Sequence, residues 1–221
     1  MIHGAWHDAS CWAAALPALH ARGHDALAPD LPLHDPEAGF EERARPAIDA
    51  LEDAADPVVV VGHSMGTAYA ALVAAARPGS LLVHLCPRLG GFPEPPGAPR
   101  RFREGVPFPA ELPDGTSEWD AGVAMTALYR RLPPETGREL AESLCPMAQP
   151  PDSFPLPGPP PNPAVLVYAA EDEIFEPEWE RFMARELLGI AAVEVPGGHF
   201  PMAEDPEGLA DLLDGLARPS S

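Results

Sequence analysis

Hydrophobic positions along this chain follow two periods in alternation. Val58–Val61 is an unbroken run of four valines, β-branched and apolar on both faces, as a parallel strand covered by helices on each side requires. Leu81–Leu85, Ala164–Ala169 and Ala191–Val195 read as further strands, Ala26–Pro29 as a short one, and Met1–His3 as the last residues of another. Helical spacing occupies the intervals: Ala9–Arg22 closed by Gly23, Ala38–Ala54 interrupted at Pro46, Met65–Ala76, Glu178–Leu188 and Pro206–Ala217. Asp205 ahead of Pro206 supplies an N-cap and a first-turn proline. Strands alternating with helices predict an α/β fold, a doubly wound and mostly parallel sheet with right-handed crossovers.

The alternation fails between Cys86 and Pro163, where prolines, glycines and arginines exclude long helices and regular sheet. Only Trp119–Leu132 and Pro134–Leu144 look helical there, and Pro155–Pro163 reads as a semi-rigid return. An insertion at this point is expected over the carboxyl ends of the strands, where open α/β sheets bind ligands. The expected organisation is therefore a core of residues 1–87 and 163–221 with an inserted lid of residues 88–162. A length of 221 residues suits one such domain.

Composition narrows the chemistry. The formal charge is −20, and such a surface repels phosphate backbones, so a small-molecule substrate is expected and nucleic acid is not. No run is long and apolar enough for a membrane helix, and the N-terminus lacks a basic patch followed by an apolar stretch, so a cytoplasmic location is the expectation. Cys11, Cys86 and Cys145 form no CxxC pair and read as reduced thiols. Every basic residue is arginine, which removes Schiff-base chemistry, the P-loop lysine and a lysine base together. No cofactor is implied. His3 and His7 share a loop but lack further ligands for a metal. Oligomeric state has no signature in the chain.

Gly62-His63-Ser64-Met65-Gly66 fits G-x-S-x-G between the valine strand and an alanine-rich helix. A serine nucleophile must stand exposed on a sharp, strained strand-to-helix turn, and side chains two residues away on either side would crowd it. Pro196-Gly197-Gly198-His199 follows the last strand, so its two glycines can bring the His199 imidazole over the sheet's end as general base. Glu171-Asp172-Glu173 lies between serine and histidine, in the order that this motif requires for the acid. The same three acids would equally serve as a solvated loop. His3-Gly4-Ala5-Trp6 follows the first strand fragment, where the Ala5 amide can join that of Met65 as oxyanion donors.

His3-Gly4-Ala5-Trp6-His7, Cys11-Trp12, Gly23-His24 and Ala28-Pro29-Asp30-Leu31-Pro32 together resemble the opening of small α/β-hydrolases of the plant methyl esterase and hydroxynitrile lyase group and their bacterial relatives. Asp172-Glu173-Ile174-Phe175 and Gly198-His199 resemble that group's acid and histidine loops. The resemblance covers about 1–87 and 163–221, and it implies Ser64, Asp172 and His199 as triad with Ala5 and Met65 as oxyanion donors. It also implies an earlier start to the sheet, so an N-terminally shortened α/β-hydrolase fold is expected. The resemblance also implies Asp172 over Glu173, because that group's acid stands four residues past the strand position that Tyr168 holds here; the shorter aspartate side chain also freezes fewer torsions.

Substrate contacts are expected from Trp6, Trp119, Met125 and Phe200. Phe92, Phe102, Phe108, Tyr129, Met147 and Phe154 are further apolar candidates in the insertion, and Arg100, Arg101 and Arg103 are candidates to meet an anionic substrate or solvent. The expected activity is hydrolysis of a carboxylic ester, or a related acyl bond, of a small and largely apolar substrate through an acyl-enzyme. A lyase, cyclase or lactonase on the same triad is the alternative, and a binding protein on this scaffold comes third. The lid lysine of the hydroxynitrile lyases is missing, and epoxide hydrolases and dehalogenases need an aspartate where Ser64 stands.

Overall fold

The computed structural model describes residues 1–89 and 91–218. Four strands make the central sheet: β1 (Val59–His63), β2 (Leu81–Leu85), β6 (Ala164–Ala169) and β7 (Ala192–Val195), in the order β1-β2-β6-β7 and all parallel. Ile2 extends the sheet by an isolated parallel bridge to Gly62, its amide donating to the Val61 carbonyl at 2.8 Å. The valine run behaves as a doubly covered strand. Val58 and Val60 enter one apolar cluster with α2 (Phe40–Asp49) and α3 (Gly66–Ala76), and Val61 enters the other with α1 (Ala15–Ala21), α6 (Pro177–Met183) and α8 (Pro206–Ala217).

Several expected elements are redrawn. Ala9–Arg22 divides into a 3-10 turn, Ala9–Trp12, and α1, because Asp8 caps the first piece and Pro17 lacks the amide that a continuous helix would need there. Ala26–Pro29 is not a strand. Its neighbour, Met1–His3, offers only the single bridge at Ile2, so no ladder forms beside it. Pro46 lies inside α2 without ending it. The buried Arg43 holds that helix by donating to the carbonyls of Ala38, Asp35 and Ala148. Helix α6 runs on as one widened turn, Ala184–Leu188, and Gly189 closes it at φ 64°.

Between β2 and β6 the chain forms α4 (Ala121–Ala127), capped by the Asp120 carboxylate, and α5 (Pro134–Glu142). It also forms a small antiparallel sheet absent from the sequence reading: β3 (Ala110–Glu111), β4 (Thr116–Glu118) and β5 (Met147–Ala148), in that order. A four-residue helix α7 (Pro201–Glu204) follows His199 and was likewise not expected. Among the described residues no helix is long and apolar enough to cross a membrane.

Candidate active site

Ser64 stands at the junction of β1 and α3 with φ 51°, a left-handed conformation that costs energy for a residue with a side chain. The turn is over-determined. The Ser64 amide donates to the Leu85 carbonyl at 3.0 Å, and the Ser64 carbonyl accepts from the Thr67 hydroxyl at 2.8 Å and the Arg88 amide at 3.0 Å. A Cβ on Gly62 would come within 2.6 Å of the Ala70 Cβ, and one on Gly66 would strike the carbonyl oxygens of His3 and Ile2. Glycine is thus required at both positions by close backbone approach.

His199 is buried on the loop after β7, and its Nδ1 meets Asp172 Oδ2 at 2.7 Å. The other Asp172 oxygen accepts from the amides of Ile174 and Phe175 at 2.7 and 2.9 Å. Glu173, the neighbouring acid, turns elsewhere: its Oε2 accepts from the His199 backbone amide at 3.0 Å. Burial pushes the Glu173 carboxyl above the usual carboxylate range. Neither the Ser64 hydroxyl nor His199 Nε2 takes part in a hydrogen bond among the described residues, and in unliganded sites that contact is often long.

Other groups hold the histidine loop in place. His63 is buried and neutral, because burial drives its pKa well below the ordinary value, and its Nε2–H donates to the His199 carbonyl at 2.8 Å. Glu204 accepts from the Gly198 amide at 2.6 Å and pairs with Arg131 at 3.0 Å. Arg131 also pairs with Glu171 and, at 3.9 Å, with Glu173. One arginine from the segment after α4 therefore gathers three carboxylates, two of which accept amides from the histidine loop. Cys86 Sγ lies within 4.8 Å of the Asp172 and His199 donor atoms, but burial holds its thiol protonated.

Ala5 and Met65 both line the cavity, and neither backbone amide has an acceptor among the described residues. His7 orders the Ala5 loop. Its pKa is lowered to about 4 by burial, so the ring is neutral, donating from Nδ1 to the Ala5 carbonyl and accepting at Nε2 from the Tyr129 hydroxyl, both at 2.6 Å. His3 and His7 each have both ring nitrogens engaged in such internal bonds.

Ser64, Met65, Ala5 and His199 share a cavity of about 320 Å³. Trp6, Trp119 and Phe200 line it, with Trp6 and Trp119 packed edge to face at 5.8 Å. Met125 does not. It faces α5, where its side chain packs beside Gly137, because the inward face of α4 is turned to that helix. Phe102 and Phe108 line the cavity, whereas Phe92 and Phe154 pack on one another and Met147 joins the core around α3. Arg100, Arg101 and Arg103 are committed to Glu176, Glu94 and Glu176.

A serine on a strained elbow between a parallel strand and a helix, under a histidine–carboxylate pair, defines a class of enzyme. The chain belongs to the alpha/beta hydrolase family, whose model matches residues 1–212. It is similar to a pyrethroid hydrolase of Sphingobium wenxiniae, 30% identical over 98% of this chain and 86% of that protein. Among solved structures it resembles a pyrethroid hydrolase from Sphingobium faniae, with a TM-score of 0.69 and 25% identity over 98% of this chain and 95% of that one. Polyneuridine aldehyde esterase shares the fold, at TM-score 0.75 and 16% identity over 98% of both chains.

Proposed function

We propose that this hydrolase cleaves carboxylic esters of small, largely apolar compounds through an acyl-enzyme on Ser64. The observation that carries the reading is the 2.7 Å contact between Asp172 Oδ2 and Nδ1 of His199, a histidine that lines the cavity holding Ser64. Asp172 fixes the tautomer in which Nδ1 bears hydrogen, leaving Nε2 free to take the Ser64 proton. Ser64 Oγ then attacks the ester carbonyl carbon, and the Ala5 and Met65 amides receive the charge on the carbonyl oxygen. His199 returns the proton to the departing alcohol, and water repeats the sequence to release the acid. The segment 88–162 serves as lid, and its aromatic residues with Trp6 and Phe200 form the substrate walls. The pyrethroid hydrolase relative supports an ester with apolar groups on at least one side.

The charge of −20 supports a small-molecule partner over nucleic acid, and three free cysteines support a reducing, cytoplasmic location. A fluorophosphonate probe and a short-chain aryl ester assay on wild type and Ser64→Ala test the reading together. Labelling and turnover are both expected to vanish in the variant. Labelling that survives Ser64→Ala would remove Ser64 as nucleophile, and a labelled wild type that hydrolyses no ester would point to another reaction on the same residues.

A further inference from the structure

Arginines in this chain are satisfied almost without exception. Eleven of the fourteen form ion pairs with carboxylates. Arg43 is bonded to backbone carbonyls instead. Arg138 is exposed on α5, where water solvates it. Arg88 is different: it is half-buried, it has no ion pair and no side-chain hydrogen bond among the described residues, and it lines the cavity that holds Ser64. With 34 acidic residues in the chain, this is no shortage of carboxylates.

Even partial removal of a guanidinium from water without a partner is costly, and charges drawn towards the interior are ordinarily paired. Burial and the nearby Arg101 both disfavour the charged form of Arg88. An arginine nevertheless stays protonated near neutral pH, so the group keeps its charge and its donors. Its position is tied to the chemistry. The Arg88 amide donates to the Ser64 carbonyl at 3.0 Å, so the side chain springs from a residue in direct contact with the elbow.

We propose that Arg88 binds a carboxylate of the substrate, so that the preferred substrates are esters carrying a carboxylate a few bonds from the scissile carbonyl. The proposal rests on the ester-hydrolase reading and names its substrate class. The planar guanidinium matches a carboxylate through two parallel hydrogen bonds, and an aqueous anion enters a site whose cation has already lost part of its water. Phe102, Phe108 and Trp119 surround the remaining, apolar part of such a molecule. Two features oppose an anion. Glu111 also lines the cavity, but it is exposed and forms no ion pair with Arg88. The overall charge of −20 acts from a distance, and salt screens it beyond about 8 Å in physiological conditions.

The test compares the p-nitrophenyl half-ester of adipic acid with its neutral half-amide, on wild type, Arg88→Met and Arg88→Lys, after subtraction of spontaneous hydrolysis. The wild type is expected to favour the acid at least tenfold in kcat/KM. Arg88→Met is expected to lower that ratio at least tenfold, chiefly through KM for the acid, and Arg88→Lys to restore part of it. A wild type indifferent to the carboxylate, or a ratio unchanged in Arg88→Met, overturns the proposal. If neither ester is turned over, the ester reading fails by itself, and Arg88 is judged by binding. Hexanoate titrated against the fluorescence of Trp6 and Trp119 should then bind at least tenfold more weakly to Arg88→Met. Equal binding overturns the proposal.

Discussion

The parallel sheet with its helices and the segment between β2 and β6 hold their shape by different means. The sheet is built from long-range pairing of buried strands, with Val61, Val83 and Val167 fully enclosed. The segment has strands of two or three residues, two short helices, and ion pairs such as Arg101–Glu94 and Arg131–Glu204 at its margins. The proposed triad, Ser64, Asp172 and His199, lies on the first or on the loops at its strand ends, where position is fixed many times over. About half of the apolar cavity wall comes from the second, where a side chain can change without dismantling a core. The contrast teaches where a substitution should alter chemistry, where it should alter selectivity, and where it should only unfold the protein.

The largest expected effect sets the two regions against each other in kinetics. Asp172→Asn should cut kcat by up to about 10⁴-fold, by analogy with the protease triad, because the imidazole loses its tautomer. Trp119→Ala in the segment should act mainly on KM for apolar esters, by about tenfold, as expected for loss of roughly 1–2 kcal/mol of apolar contact. Glu173→Gln should cost less than about tenfold, since its carboxylate meets the His199 amide and the arginines Arg130 and Arg131 but not the imidazole. Steady-state kinetics of the three variants decide it. A dead Glu173→Gln beside an active Asp172→Asn would reverse the two acids.

Stability sharpens the contrast next. Val83→Ala should cost about 2 kcal/mol, because the side chain is fully enclosed on the sheet. Phe108→Ala should stay within about 0.5 kcal/mol, because Phe108 is 62% exposed at the cavity rim. Denaturant unfolding measures both, and equal losses would mean that the segment is as integral to the core as the strands.

The smallest effect concerns charge. Glu180 on α6 is buried, neither oxygen has a hydrogen-bond partner among the described residues, and burial together with nearby Asp172 raises its carboxyl well above the ordinary range. A carboxyl whose folded-state pKa exceeds its unfolded value favours folding fully below the unfolded value. That contribution is lost as pH rises through the folded one. Glu180→Gln stays neutral throughout, so its Tm relative to wild type should climb by about 2–4 °C from pH 5 to pH 8. Glu104→Gln, at an ion pair whose carboxylate is 89% exposed, should show no such trend. Parallel melting curves for Glu180→Gln and wild type would argue that Glu180 is solvated.

The sheet and the site's central residues were legible in the sequence for the same physical reason. A strand buried on both faces must be apolar throughout, and an elbow must carry glycines beside its serine, so Val58–Val61 and Gly62–Gly66 declare themselves locally. Strands such as Ala110–Glu111 and Met147–Ala148 are too short to show any period, and β5 joins β4 across about thirty residues. Ala26–Pro29 has a strand's composition, but Met1–His3 beside it supplies a single backbone bond, from the Met1 amino group to the Leu27 carbonyl, rather than a ladder. Met125 shows the limit for side chains: helical spacing places it on α4 but does not say which partner that face meets. The Arg131 network spans 73 residues in the chain to reach Glu204, and nothing near either residue announces it. Arg88 sits three residues past β2 in a proline-rich stretch, and its isolation appears only once the other arginines are traced to carboxylates, backbone carbonyls or open solvent.

Close packing around the elbow also shapes how much of sequence space is open to this chain. At Gly62 and Gly66 even a methyl group collides with backbone or a helix side chain, so neither position has a neighbouring amino acid to drift into. Gly215 on α8 meets nothing within 4 Å, and alanine there should be tolerated and stabilising by roughly 0.5–1 kcal/mol. In a library of all single substitutions the two elbow glycines would appear as empty columns and Gly215 as a full one. The exposed face of α8 can therefore drift while the turn that carries Ser64 stays frozen by the thickness of a carbonyl.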